Sequence, residues 1–147
     1  MVFCDKSRLS TVLRNIIGNS VKYQRKDIST PEVFFRYENL NNKCILSITD
    51  NGEGIPAESQ QKVFDMFYRG TSTGSGSGLG LYICKEMLDK MNAHYSINSV
   101  PGEGTSFTIS LNKTVASKKE TSPAQKTTDA TFPFNKFPGL SPFNQAG

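Results

Sequence analysis

Histidine occurs once, at His94, and the three cysteines, Cys4, Cys44 and Cys84, stand forty residues apart. That scatter excludes the paired Cys and His spacing of a metal site and argues against a disulfide framework; a reducing, cytoplasmic setting is expected. No apolar run approaches the ~18 residues of a membrane span, so no direct membrane contact is expected of this stretch, although a parent protein could carry an anchor. Charges at Asp5, Lys6 and Arg8 leave no room for the apolar core of a signal peptide. A basic core is also missing. The formal charge is +4, but from Asn112 onward five Lys oppose only Glu120 and Asp129, a net of +3, which leaves +1 for the rest. A nucleic-acid partner is therefore not expected.

What is present divides near Leu111. The last segment, 112–147, is rich in Ser, Thr, Pro and Lys without sustained periodicity, and disorder is expected there because it offers little apolar surface to offset ordering entropy. Its spaced pairs Phe132-Pro133, Phe137-Pro138 and Pro142-Phe143 could dock on a partner as a short linear motif, although a free terminus is the plainer account. Residues 1–111 suffice for one domain. Leu9, Val12, Leu13, Ile16, Ile17 and Ser20 recur at helical spacing and predict a helix from about Lys6 to Gln24. Two runs, EVFFRYEN and KCILSITD, read as a hairpin across an Asn-rich turn. A short helix near Glu58–Val63 follows. Leu79, Ile83, Met87 and Met91 predict another helix, and HYSINSV and TSFTISL two last strands. The order predicts a two-layer α/β sandwich with helices on one face of a mixed, mostly antiparallel sheet.

Four clusters could carry chemistry. On the first helix Asn15, Asn19, Lys22 and Lys26 form one stripe. A solvated face accounts for the lysines alone, but two Asn in four residues are poor helix formers. Their neutral carbonyl oxygens suit a hard cation already held by phosphates, which Lys22 could help neutralise. Directly after a strand comes Asp50-Asn51-Gly52-Glu53-Gly54-Ile55-Pro56. A carboxylate beside such a turn can accept a hydrogen bond from an exocyclic amine, which adenine has and guanine lacks at that position; an ordinary Asx-Gly turn is the plainer account. Gly74-Ser75-Gly76-Ser77-Gly78-Leu79-Gly80-Leu81 opens the second long helix, where free amides and the helix dipole attract anions. It lacks the Lys-Ser/Thr of a P-loop, and a flexible linker remains the alternative. Between them, Phe64-Asp65-Met66-Phe67-Tyr68-Arg69 joins anchoring aromatics to an Arg able to reach a phosphate.

In order and spacing these clusters resemble the catalytic ATP-binding domain of sensor histidine kinases, within the Bergerat-fold family that includes gyrase, the ninety-kilodalton heat-shock chaperone and MutL. LRNIIGNSVKY is similar to the N box, DNGEGIP to the G1 box, VFDMFYR to the F box and GSGLGL to the G2 box, over about residues 5 to 111. The resemblance implies ATP and Mg²⁺ as ligands, with Asn19 on the metal, Asn15 a turn earlier, Lys22 on phosphate and Tyr23 beside the nucleotide. It implies that Asp50 reads the adenine amine in a pocket shaped by Gly52, Gly54, Ile55 and Thr105. Arg69 corresponds to the lid arginine. Phe67, Gly76, Gly78, Leu79, Gly80 and Leu81 correspond to the lid and the triphosphate cradle.

Hydrolysing relatives carry a Glu where this chain has Asn15, which has no useful basicity. The resemblance therefore implies phosphoryl transfer rather than hydrolysis, to a His on a separate dimerisation domain, with a response regulator downstream. His94, next to a strand without an acidic neighbour after it, reads as structural. Two alternatives are a Ser/Thr-directed relative such as an anti-sigma-factor kinase, against which the Phe64–Arg69 box argues, and a non-catalytic nucleotide-binding module, against which Asn19, Asp50 and the glycines argue.

Overall fold

A computed structural model describes residues 5–40, 42–69, 77–113 and 127–133. Helix α1 (Lys6–Lys22) starts where Asp5 accepts a hydrogen bond from the Arg8 amide at 3.0 Å, and it ends at Tyr23, whose amide donates to Asn19 O at 2.9 Å. Strands β1 (Glu32–Asn39) and β2 (Lys43–Asp50) form the expected hairpin. After a short α2 (Ala57–Gln60) and a single 3₁₀ turn at Lys62–Phe64 comes α3 (Gly80–Lys90). Strands β3 (His94–Val100) and β4 (Gly104–Asn112) close the region matched by the motifs.

The sheet order is β3-β4-β2-β1-β5, and every pairing is antiparallel, so the parallel component expected of a mixed sheet is absent among the described residues. The cause is the connection between β2 and β4: the chain leaves the sheet through α2 and α3, returns as β3 at the edge, and turns back as β4 beside β2. That register sets Asp50 opposite Thr105. Period-two alternation then gives the sheet two faces. Ile48, Phe107 and Ile109 face the helices and meet Val12 and Ile16 of α1 and Cys84 and Leu88 of α3 in one core. Each such fully buried side chain contributes about 1.5–3 kcal/mol. The opposite face is polar, with Thr49 and Ser106 hydroxyls 2.9 Å apart and Ser47 and Thr108 hydroxyls at 3.3 Å. Phe64 packs on Tyr95 and Phe107, with ring centroids at 5.4 and 6.1 Å, and so fastens the aromatic box to the sheet.

One expectation is corrected. Residues Thr127–Pro133, placed in a disordered tail on composition, form β5 and pair antiparallel with the outer edge of β1 from Glu32↔Pro133 to Glu38↔Thr127. Composition misleads here because an edge strand needs little apolar burial when a neighbouring strand supplies its backbone partners. Asn112 belongs to β4, and the rest of the proposed tail lies outside the described residues.

Candidate nucleotide-binding site

A cavity of about 560 Å³ opens between α1, the loop after β2, the β3–β4 turn and the start of α3. Its floor is apolar: Ile16, Ile48, Val63, Leu81, Ile97 and Phe107 all line it, a surface suited to a flat base. Asp50 stands at this end, and its carboxylate is fully engaged by the fold. Oδ1 accepts from the Gly52 amide at 3.0 Å and the Thr105 amide at 3.1 Å, and Oδ2 accepts from Ser20 Oγ at 2.8 Å. Oxygens held this way keep one geometry while retaining a lone pair for a further donor.

The loop around Asp50 is set by close approaches. Gly52 has no Cβ because one would stand 2.7 Å from Tyr23 O and 2.9 Å from Asp50 Oδ1. Gly54 adopts φ 72°, and a Cβ there would overlap the Val100 carbonyl oxygen. The Glu53 amide donates to Tyr23 O at 2.9 Å and the Gly102 amide donates to Glu53 O at 2.8 Å, tying the end of α1 and the β3–β4 turn to the loop. Ser99 is buried, and its Oγ accepts from the Ile55 amide at 2.8 Å and lies 2.8 Å from both Gly104 O and Thr105 Oγ1. Gln60 Nε2 donates to Ile55 O at 3.0 Å and Ser99 O at 2.7 Å, clamping the same loop from α2.

The other end of the cavity is polar. Asn15, Asn19 and Lys22 line it from α1, with Lys22 Nζ 4.7 Å above the Tyr23 ring. Asn15 Nδ2 donates to Thr11 O at 3.0 Å, which turns its Oδ1 outward. A Cβ at Gly80 would stand 3.4 Å from Asn15 Oδ1 and 3.9 Å from Asn19 Oδ1, so glycine lets the first turn of α3 come up to both carboxamides. Among the described residues no side chain caps α3, and its first amides suit an anion. Arg69 and Tyr68 reach the cavity, and Tyr68 Oη donates to Ser59 Oγ at 2.9 Å. Phe67 and Gly78 adopt φ 62° and 70°, and a Cβ on Gly78 would come within 2.8 Å of the Phe67 backbone, so the aromatic box and the glycine run are held together.

Of the sequence-predicted residues, Asn15, Asn19, Lys22, Tyr23, Asp50, Gly54, Ile55, Arg69, Gly78, Gly80, Leu81 and Thr105 line one cavity. Gly52 acts behind Asp50, Leu79 precedes α3 without lining, and Phe67 is 65% exposed and does not line the cavity. Gly76 lies outside the described residues. His94 is exposed at the start of β3 and does not line the cavity. Sequence reasoning placed Ser20 on the apolar stripe of the first helix without giving it a role at the site, and missed Ser99 and Gln60. A polar residue at a buried helical position was the one available sign of Ser20.

The chain belongs to the histidine kinase-, DNA gyrase B- and HSP90-like ATPase family, whose sequence profile matches residues 4–115. Within it, the chain is homologous to sensor histidine kinases. Sensor protein kinase WalK of Staphylococcus aureus is 40% identical over 111 residues, a match covering 73% of this chain and 26% of that protein. The chain thus spans about a quarter or less of the curated relatives it matches. Among solved structures, the mycobacterial sensor histidine kinase MprB aligns with a TM-score of 0.65 at 29% identity, over 76% of this chain and 74% of that one. The catalytic domain of histidine kinase ThkA, in a nucleotide-free form, aligns at 0.63 and 25%, over 76% and 71%. Full-length ShkA in complex with AMPPNP aligns at 0.66 over 79% of this chain and 24% of that chain; at 24% identity it supports the fold alone.

Proposed function

We propose that this chain is the catalytic domain of a sensor histidine kinase, which binds ATP with Mg²⁺ and presents the γ-phosphoryl group to a histidine on a separate dimerisation domain. The observation that supports this is the polarity of one cavity, with a firmly held carboxylate over an apolar floor at one end and two carboxamides beside the first turn of α3 at the other. The donor set fits Mg²⁺. Asn15 and Asn19 offer neutral, hard oxygens, and no group of three or more His, Cys, Asp or Glu able to hold a metal occurs among the described residues, so the triphosphate supplies the remaining charge. Bound there, Mg²⁺ neutralises charge on the phosphates.

The chain's own residues do the rest. Asp50 accepts from the adenine amine, Lys22 and Arg69 neutralise the phosphate oxygens, and the α3 amides orient them. The imidazole nitrogen of the acceptor forms the new bond to phosphorus, the bond to the ADP oxygen breaks, and the imidazole proton leaves to solvent. Asn15 abstracts no proton from water, so transfer wins over hydrolysis. The acceptor domain and a response regulator receiving the phosphoryl group are the partners this chemistry requires. No helix of the described residues is long and apolar enough to cross a membrane, and dependence on ATP together with two buried free thiols, Cys44 and Cys84, supports a cytoplasmic site of action. Labelled ATP, added with and without an acceptor-His helical hairpin from a related kinase, tests the assignment. Acid-labile, base-stable label on the hairpin is expected. Acid-stable label on Ser or Thr would point to the Ser/Thr-directed relatives.

A further inference from the structure

Helix α2 is four residues long, has no side-chain cap and buries none of its own residues, so contacts outside the helix decide where it stands. Two neighbouring side chains supply such contacts. Gln60 Nε2 donates to Ile55 O and Ser99 O, at 3.0 and 2.7 Å, which fastens α2 to the loop after Asp50 and to the end of β3. Ser59 lines the cavity, and its Oγ accepts from Tyr68 Oη at 2.9 Å. Consecutive residues of α2 thus grip the Asp50 end of the cavity and the aromatic box.

The aromatic box needs that grip. Phe67 stands at φ 62°, a left-handed conformation that bulky side chains rarely adopt and that persists only where the surroundings hold it. Two turns lead into it: the Asp65 amide donates to Lys62 O at 2.9 Å, and the Tyr68 amide donates to Asp65 O at 3.2 Å. Phe67 is left exposed, while Tyr68 and Arg69, directly after it, line the cavity. Gly78 approaches the Phe67 backbone closely, and the Tyr68 hydroxyl ties the same segment to α2. Arg69 is the next residue along, so its place in the cavity follows from where Tyr68 is held. Without the hydroxyl bond the strained turn is free to relax and to carry Arg69 with it.

We propose that Tyr68 is a positioning residue for Arg69: its hydroxyl, held by Ser59 on the anchored α2, keeps the Phe67 turn in place and so keeps Arg69 against the terminal phosphate. This rests on the kinase reading above, in which Arg69 neutralises phosphate oxygens. Titration calorimetry on the full chain tests it through the ratio of affinities for AMPPNP, which carries a third phosphoryl group, and ADP, which does not, both with Mg²⁺. Arg69→Ala lowers that ratio at least about threefold. Tyr68→Phe and Ser59→Ala, which remove only hydroxyls, each lower it at least about threefold as well. Combined, they lower it no further than either alone, and in the Arg69→Ala background Tyr68→Phe changes it less than about twofold. A hydroxyl that served only the fold would weaken both nucleotides alike and leave the ratio unmoved. Binding of neither nucleotide by the unsubstituted chain overturns the kinase reading and this inference with it. With both bound, a ratio unmoved by Arg69→Ala or by Tyr68→Phe, or a Tyr68→Phe effect that persists in full without Arg69, overturns the inference alone.

Discussion

Ser20 Oγ lies 2.8 Å from Asp50 Oδ2, joining the helix that carries Asn19 to the strand end that carries the carboxylate proposed to read the base. Ser20 is 4% exposed, so neither group can exchange this contact freely for water. The two ends of the proposed nucleotide site are therefore registered by one buried hydrogen bond.

Ser20→Ala should weaken ATP binding about three- to tenfold, since a hydrogen bond to a charged group is lost while the Gly52 and Thr105 amides still hold Oδ1. Asp50→Asn should cost about 10- to 100-fold, corresponding to ~1.5–3 kcal/mol, because the acceptor for the adenine amine weakens and an amide now competes with those two donors. Titration calorimetry checks both, and GTP should compete poorly with ATP in the unsubstituted protein. Equal affinity for ATP and GTP would remove Asp50 from base recognition.

Gly54→Ala should destabilise the fold by about 2–4 kcal/mol and lower the melting temperature by roughly 10 °C, because the new Cβ meets the Val100 carbonyl in a backbone already at φ 72°. Gly102→Ala is the control. It shares a positive φ, 80°, but a Cβ there meets nothing within 4 Å, so only about 1 kcal/mol of backbone strain is expected. Equal losses at the two sites would show that steric overlap is not the cause.

Asn15→Glu should raise ATP hydrolysis by about tenfold or more while lowering transfer to an acceptor histidine, since it places a base beside the first turn of α3. Asn19→Ala should abolish transfer with the fold intact, as read by circular dichroism. Phosphate release and labelled-phosphoryl transfer, measured together, separate the two effects.

Burial pushes the Cys84 thiol up to about 12 from 9.0. The native state keeps its proton where the unfolded chain has lost it, so this contribution is complete below pH 9 and declines as pH rises toward 12. Urea unfolding at pH 8.5 and 11 should show a larger loss for the unsubstituted chain than for Cys84→Ala, with a difference of at most about 2.5 kcal/mol. A pH dependence identical in both would mean the thiol ionises without unfolding.

Much of this was legible along the chain because it depends on neighbours in sequence. The 3.6-residue spacing of Val12, Ile16 and their companions defines α1, and β1 and β2 occupy the two runs read as strands. Asn15 and Asn19, one turn apart, had to share a face, and Gly78 and Gly80 had to stand at the entry to α3. What only the tertiary structure decided are the pairings that no local pattern carries. Asp50 faces Thr105, 55 residues further on, because β4 returns beside β2, and Ser20 meets Asp50 only once helix and sheet have packed. The strand at Thr127–Pro133 is the sharpest case. Thr127, Thr128, Thr131 and Phe132 suit a strand, but Asp129 and Pro133 and the Ser-, Pro- and Lys-rich surroundings mask that signal, and the segment pairs because β1 offers an edge and Arg36 a partner for Asp129. Backbone hydrogen bonds are available to every sequence, so where a chain finds them is settled by which edges the rest of the fold leaves open.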